Sequence, residues 1–315
     1  MRTVVITGAS TGIGHATAKL LLDKGFKVFG SVRKQADAER LRGEFGASFA
    51  PLLFDVTDEA AVLAAAREVR AALNGETLAG LVNNAGIAVS GPVLELSADE
   101  FRRQMDVNVI GPIIATQAFG PLLGTDAALK GPRGRIVMIS SVAGKNGNPL
   151  TPAYAASKHA IEGLSESLRR ELMLFGIDVI IIAPGPVKTP IWSKGQDDVD
   201  MSNYKNSPYL PALQKVSAYM KHLETIGLPP EGIAERVYDA LTLAHPKVRY
   251  QIAPDPLRHL MTAYLPKRMT DKIIAKRLGL LPQASACYSR RCYWRQPVPT
   301  GRSSQCTGGR VGHFF

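Results

Sequence analysis

The sequence predicts a doubly wound α/β fold, a mostly or wholly parallel sheet with helices on both faces, and three observations predict it. From residue 1 to about 187, short β-branched apolar runs alternate with amphipathic helical segments. Alternation of this kind builds right-handed βαβ units. A glycine-rich turn joins the first run directly to the first helical segment, and further small or polar motifs stand at the C-terminal ends of later runs. In a parallel sheet those ends are where ligands bind.

The first run, Thr3 to Thr7, is apolar on both faces, as a buried parallel strand requires. Gly8-Ala9-Ser10-Thr11-Gly12-Ile13-Gly14 follows at once, and a helical pattern over 13–24 ends at Gly25. Glycines let the backbone approach a pyrophosphate, and a helix N-terminus presents N–H groups and the positive end of its dipole. The spacing is G-x-x-x-G-x-G rather than G-x-G-x-x-G, but the strand–turn–helix context is the one that gives a glycine motif meaning. Gly8, Ser10, Thr11, Gly12, Ile13 and Gly14 are therefore candidate dinucleotide contacts.

The second run, 27–32, ends at Ser31-Val32-Arg33-Lys34, with no carboxylate to accept from a ribose 2′-hydroxyl. Arg33 suits a 2′-phosphate, which favours NADP(H) over NAD(H); the alternative is a solvated loop cation. After a helical pattern at 36–43, the third run, 50–54, leads into Asp55-Val56, where a carboxylate can meet the adenine amino group. A helix over 58–73 precedes the fourth run, 78–82, and then Asn83-Asn84-Ala85-Gly86, whose small residues permit close approach to the adenosine half. A helical pattern spans 98–122. Within it, 107–125 is uncharged and long, but Asn108, Pro112, Gln117, Pro121 and three glycines suit a buried or interface helix better than lipid. Gly124 to Arg133 reads as a surface loop.

The fifth run, 135–139, ends at Ser140-Ser141, and the helix over 153–175 carries Tyr154-Ala155-Ala156-Ser157-Lys158. Residues four apart share a helix face, so the phenol and the ammonium project into one space. A free phenol, with a pKa of about 10, is a poor acid or base at neutrality. A nearby cation favours the phenolate and is expected to lower that pKa. The sixth run, 177–183, ends at Pro184-Gly185, followed by Val187, a further candidate cofactor contact, and by Thr189, placed to reach a nicotinamide carboxamide.

These residues resemble the short-chain dehydrogenase/reductase family across roughly residues 2–281, and most closely its hydroxysteroid and retinol dehydrogenase branch. The match comprises Thr7-Gly8, Gly12, Gly14, Asp55, Asn83-Asn84-Ala85-Gly86, Asn108, Ser141, Tyr154, Lys158 and Pro184-Gly185. The resemblance implies a Rossmann fold and NAD(P)-dependent hydride exchange between a secondary alcohol and a ketone, or a primary alcohol and an aldehyde. It implies Tyr154 as acid/base, Ser141 orienting the substrate oxygen, Lys158 on the nicotinamide ribose, and Asn108 anchoring a proton-relay water. It also implies a basic residue at Arg33 in NADP users. A non-catalytic NADP-sensing protein on the same fold is the alternative, although it would have no need of Asn108, Ser141, Tyr154 and Lys158 together.

The rest of the chain bounds substrate and partners. Residues 191–228 are apolar and aromatic (Trp192, Met201, Tyr204, Tyr209, Leu213, Val216, Tyr219, Met220), which fits equally a lid over a lipophilic substrate such as a steroid or retinoid and a helix packed on the core. The extension 253–281 pairs an apolar face (Leu257, Leu260, Met261, Leu265, Ile273, Ile274, Leu278) with basic residues; a closing helix is favoured over a pocket cover or a membrane-surface helix. The formal charge of +11 includes five arginines of residues 282–315, a stretch without acids; the body retains about +6, and no nucleic-acid role is expected. That tail also holds all three cysteines, Cys287, Cys292 and Cys306, at no common zinc spacing, so neither a metal site nor a disulfide framework is expected. Its composition reads as disordered, closer to out-of-frame or vector-derived sequence than to an interaction tail. With no signal peptide read at its start, the protein is expected in the cytoplasm, as a homo-dimer or homo-tetramer formed through the helices at 98–122 and 153–175.

Overall fold

A computed structural model describes residues 1–191, 193, 201–253 and 265–282. Seven strands form one sheet in the order β3-β2-β1-β4-β5-β6-β7, and every neighbouring pair is parallel. The strands are β1 (Thr3–Ile6), β2 (Lys27–Val32), β3 (Phe49–Leu53), β4 (Gly80–Asn83), β5 (Arg135–Ile139), β6 (Asp178–Pro184) and β7 (Arg249–Ile252). The order reverses between β1 and β4, opening a crevice at their C-terminal ends. Six strands match the apolar runs to within two residues. Arg249-Tyr250-Gln251-Ile252 has no apolar run to announce it; it is a strand because its backbone pairs with β6 from Ile181 to Pro184.

Helices α1 (Gly12–Asp23) and α2 (Gln35–Phe45) cover one face together with α8 (Pro230–Thr242). Helices α3 (Glu59–Ala72), α5 (Gly111–Phe119) and α6 (Pro152–Leu172) cover the other. Each face has its own apolar core: Val4, Ile6, Leu21, Val28, Leu41, Ile182 and Val237 on the first, Leu81, Phe119, Ile136, Met138 and Ile161 on the second. The sheet is thus buried on both sides, which is why its strands read as near-continuous apolar runs. Met1–Leu280 makes one compact unit.

The helical pattern at 98–122 resolves into three pieces. A capping box, Ser97 with Glu100, starts α4 (Ala98–Met105); a π-helical turn follows over Asp106–Ile110, then α5, then a 3-10 turn over Gly120–Leu123. Pro112 at the start of α5 and Pro121 at the start of the 3-10 turn lack the N–H that an unbroken α-ladder would use. Gly124 to Arg133 is a tethered turn rather than a loose loop: Arg133 donates to the Gly124 carbonyl, Lys130 N–H to Gly75, Thr77 to Pro132, and Leu129 is buried. Among the described residues, no helix is long and apolar enough to cross a membrane.

After β6 the chain forms α7 (Leu210–Ile226), then α8 and β7, and α9 (Lys267–Leu278) lies against α7. Ala212, Leu213, Val216 and Met220 of α7 join Leu150 and Tyr204 in a small separate core, packed also by Leu278 and Leu280. Trp192, the stretch 254–264 with Leu257, Leu260 and Met261, and the tail 283–315 with its cysteines lie outside the described residues.

Candidate active site

A cavity of about 1260 Å³ opens along the C-terminal ends of the strands. Ser10, Thr11, Gly12 and Ile13 line it, with Arg33, Asp55, Val56, Ala85 and Gly86, and so do Ser141, Tyr154 and Lys158, with Pro184, Gly185, Val187 and Thr189. The sequence motifs, far apart in the chain, converge there because each follows a strand of one parallel sheet.

The glycine turn is built for close approach. Gly8 and Gly12 have φ of +71° and +61°, a region that costs any residue with a Cβ. A Cβ on Gly8 would lie 2.9 Å from the Ala85 Cα, and one on Gly12 2.9 Å from Thr189 Cγ2. Gly14 serves a different purpose from its neighbours. It is not at the cavity wall; a Cβ there would sit 2.2 Å from the Gly8 carbonyl oxygen, so it lets α1 pack onto the turn.

Asn83 was also expected at the cofactor and stands elsewhere. As the last residue of β4 its side chain alternates away from the cavity, donating to Thr116 Oγ1 at 3.1 Å and approaching Met138 Sδ at 3.3 Å. Its neighbour Asn84 faces the turn and donates to the Thr7 and Gly8 carbonyls, both at 2.9 Å. The Thr7 hydroxyl accepts from Asn84 and Ala85 N–H groups, each at 3.0 Å. Together they fasten the β1 turn to the β4 turn across the crevice. Ser31 adds a third tie, accepting the Gly8 N–H at 2.9 Å.

Arg33 and Asp55 both line the cavity, and the guanidinium lies 3.7 Å from the carboxylate. With Arg33 68% exposed the pair is worth little in water. Arg33 directly follows the last residue of β2. Asp55 is further fixed by accepting from the Thr57 N–H and hydroxyl.

At the centre, Ser141 hydrogen-bonds the Tyr154 phenol and accepts the Ala143 N–H at 3.1 Å. Lys158, 6% exposed, donates from Nζ to the Ile139 carbonyl at 2.9 Å and lies 5.7 Å from the Tyr154 ring centre. The expected lowering of the Tyr154 pKa is not what the geometry gives. Burial raises it, and the Ser141 hydrogen bond offsets that only in part. Burial pulls Lys158 down to about 8, with the negative charge of Glu162 opposing. Desolvation wins over the 5.7 Å cation–ring approach because both groups are buried together.

Asn108 lies in the π-helical turn, buried behind the wall. Its amide donates to the Ile87 carbonyl at 3.0 Å and to Ser157 Oγ at 3.1 Å, and accepts the Ile87 N–H at 2.9 Å. Ser157 donates in turn to the Tyr154 carbonyl at 2.8 Å. The side chain therefore braces the Tyr154 turn of α6 and the Ile87 segment of the wall. Gln104, fully buried, braces the same segment through Ile87 and Val89, and nothing in its spacing announces it.

Residues 2–200 match the family model of the short chain dehydrogenases. The chain belongs to the short-chain dehydrogenase family. This dehydrogenase is 40% identical over 286 residues to the NADPH-dependent 3-dehydrocapnine reductase of Ornithobacterium rhinotracheale, a match covering 90% of this chain and 100% of the relative. It is 33% identical over 288 residues to retinol dehydrogenase 5 of Mus musculus, covering 86% and 87% of the two chains. Among solved structures, a Burkholderia phymatum short chain dehydrogenase/reductase in complex with NAD superposes with a TM-score of 0.71 at 25% identity, covering 86% of this chain and 95% of that one. The protein is accordingly an NAD(P)-dependent oxidoreductase of alcohols and carbonyl compounds. The glycine cradle that a Cβ would fill, set at a helix N-terminus, fits such a dinucleotide.

Proposed function

We propose that this dehydrogenase is an NADP(H)-dependent reductase of a lipophilic ketone or aldehyde, running in reverse on the corresponding alcohol, with Tyr154 as acid/base. The observation that carries the reading is the buried Ser141–Tyr154–Lys158 cluster at the cavity wall. Burial keeps the Tyr154 phenol protonated at neutral pH, the form that gives a proton to a carbonyl oxygen during reduction. Ser141, bound to that phenol, orients the same oxygen. Lys158 holds the ribose hydroxyls and supplies positive charge behind the phenol. Asn108 keeps α6 in register rather than touching the reacting atoms. The dinucleotide would lie along Gly8, Ser10 to Ile13, Asp55, Val56, Ala85, Gly86, Pro184, Gly185, Val187 and Thr189, and its contribution when bound is hydride exchange with the substrate carbon.

NADP(H) is favoured because Arg33 is the charged residue at the end of β2 and stands at the cavity wall. The NADPH dependence in the name of the 40% identical relative supports the same choice. A lipophilic substrate is favoured by the apolar side chains that α7 and α9 bring to the cavity wall. Val216, Met220 and Leu223 of α7 and Ile273, Ile274 and Leu278 of α9 line the cavity. Residues 210–226 thus pack a small core and wall the pocket at once, and α9 covers the pocket rather than only closing the chain.

Binding titrations with the two reduced dinucleotides test the cofactor. NADPH is expected to bind at least tenfold more tightly than NADH, and Arg33→Ala to remove most of the difference while leaving NADH binding unchanged. Equal affinities in the unsubstituted protein would overturn the preference.

A further inference from the structure

One turn beyond Lys158 on α6, and two beyond Tyr154, stands Glu162, a carboxylate only 3% exposed and outside the family motif described above. It is heavily bound. Ser140 donates its hydroxyl to Oε1 at 2.8 Å. Arg249 of β7 donates from Nε at 2.9 Å to Oε2 and from Nη2 at 3.2 Å to Oε1, and Lys145 Nζ lies 3.7 Å from Oε2. A carboxylate buried this far persists only when paired and hydrogen-bonded.

Its partners are the residues that carry the active site. Ser140 lies between Ile139, whose carbonyl accepts from Lys158, and Ser141, which bonds Tyr154. Holding Ser140 therefore holds the acceptor of Lys158 and the partner of Tyr154 at the end of one strand. Gly144 is small for the same reason, since a Cβ there would meet Glu162 Cγ at 2.8 Å and Ser140 Oγ at 2.8 Å. We propose that Glu162, clamped by Arg249 and bound to Ser140, is a positioning residue that fixes the end of β5 and sets a counter-charge one helical turn below Lys158.

Among the described residues, few groups face this ammonium. On its own helix they are Tyr154 and Glu162; Lys145, after β5, and Arg249, on β7, bind the carboxylate itself. The charge of β6, Asp178, lies at the exposed far end and pairs with Arg135. On the segment before α5, Arg103 is at the cavity wall and Asp106 is exposed. Glu162 thus provides the negative charge that opposes burial of Lys158. Two removals should then act in opposite directions. Without the Glu162 charge the ammonium loses its support; without Arg249 that charge is less neutralised and supports it more.

The proposal rests on Lys158 being the active-site cation of the function proposed above, but its test needs neither substrate nor dinucleotide. In the full-length protein labelled with ¹³Cε-lysine, the Lys158 resonance is assigned by its loss in Lys158→Met and titrated by NMR. Glu162→Gln, an isostere, is expected to lower the Lys158 midpoint by about one pH unit, a tenfold loss in proton affinity. Arg249→Met, at a partly exposed edge-strand position, is expected to raise it measurably. Glu162→Asp should recover part of the Glu162→Gln shift. A Lys158 midpoint unmoved by Arg249→Met, or unmoved in folded Glu162→Gln protein, overturns the proposal. Failure of carbonyl turnover in the unsubstituted protein would instead count against the proposed function and leave this titration standing.

Discussion

At the scale of single residues, the site works by burial as much as by charge. Tyr154 and Lys158 are each under a tenth exposed, and desolvation moves both toward their neutral forms. For Lys158 this has a consequence for stability. Its folded pKa of about 8 lies below the ordinary lysine value of 10.5, so between those values the unfolded chain binds more protons than the native one. The cost of burying the lysine is complete below pH 8 and fades as pH rises. Relative to Lys158→Met, the protein is therefore expected to gain stability between pH 8 and 10, by at most about 3 kcal/mol. Urea unfolding of both proteins at pH 7, 8, 9 and 10 checks it, and a parallel pair of stability curves would contradict it. Ser141→Ala removes the hydrogen bond that orients the phenol, and steady-state kinetics should show kcat lowered by about a hundredfold or more, with the thermal midpoint nearly unchanged.

At the scale of elements, the decisive feature is the fastening of the turn after β1 to the turn after β4. Gly14 has no room for a side chain: its Cβ would strike the Gly8 carbonyl oxygen at 2.2 Å, a backbone atom that cannot swing away. Gly14→Ala should push α1 off the turn, destabilising the fold by about 2 kcal/mol or more and weakening NADPH binding at least tenfold. Thermal denaturation with and without NADPH reads both effects, and wild-type values for both would show the turn to be looser than this geometry. Six of the seven strands were legible because burial on both faces writes apolar runs into the sequence. The strand at Arg249–Ile252 was not, since an edge strand takes its identity from pairing with β6 rather than from composition. Strand ends also located Ser141, Tyr154, Asp55 and the glycine turn. They could not separate Asn83 from Asn84, because that choice depends on which face each side chain takes at the last residue of β4. Glu162 lay in plain spacing with Tyr154 and Lys158 at four-residue intervals, yet only the partners from β5 and β7 show that face to be buried.

At the scale of the whole molecule, one sheet collects residues from Gly8 to Thr189 at one edge, and segments after β6 close the far side. All the described residues of the cavity wall belong to the compact unit of Met1–Leu280, and the residues beyond it hold the cysteines and five of the arginines. Deleting 283–315 is accordingly expected to leave NADPH affinity and turnover within about twofold; a large loss of turnover would assign that segment a part in the reaction. The same architecture explains why the reaction class can be read while the substrate is proposed only by character. The residues proposed to transfer the proton are held by the end of β5 and the first turns of α6, whereas pocket walls come also from α7 and α9, whose apolar side chains fit many lipophilic shapes. The most direct measurement is NADPH oxidation by the full-length protein across a panel of lipophilic ketones and aldehydes, with Tyr154→Phe run beside it. The account predicts carbonyl-dependent oxidation that falls by at least about a thousandfold in Tyr154→Phe, with NADPH affinity kept within about threefold. Turnover in Tyr154→Phe comparable to that of the unsubstituted enzyme would contradict it.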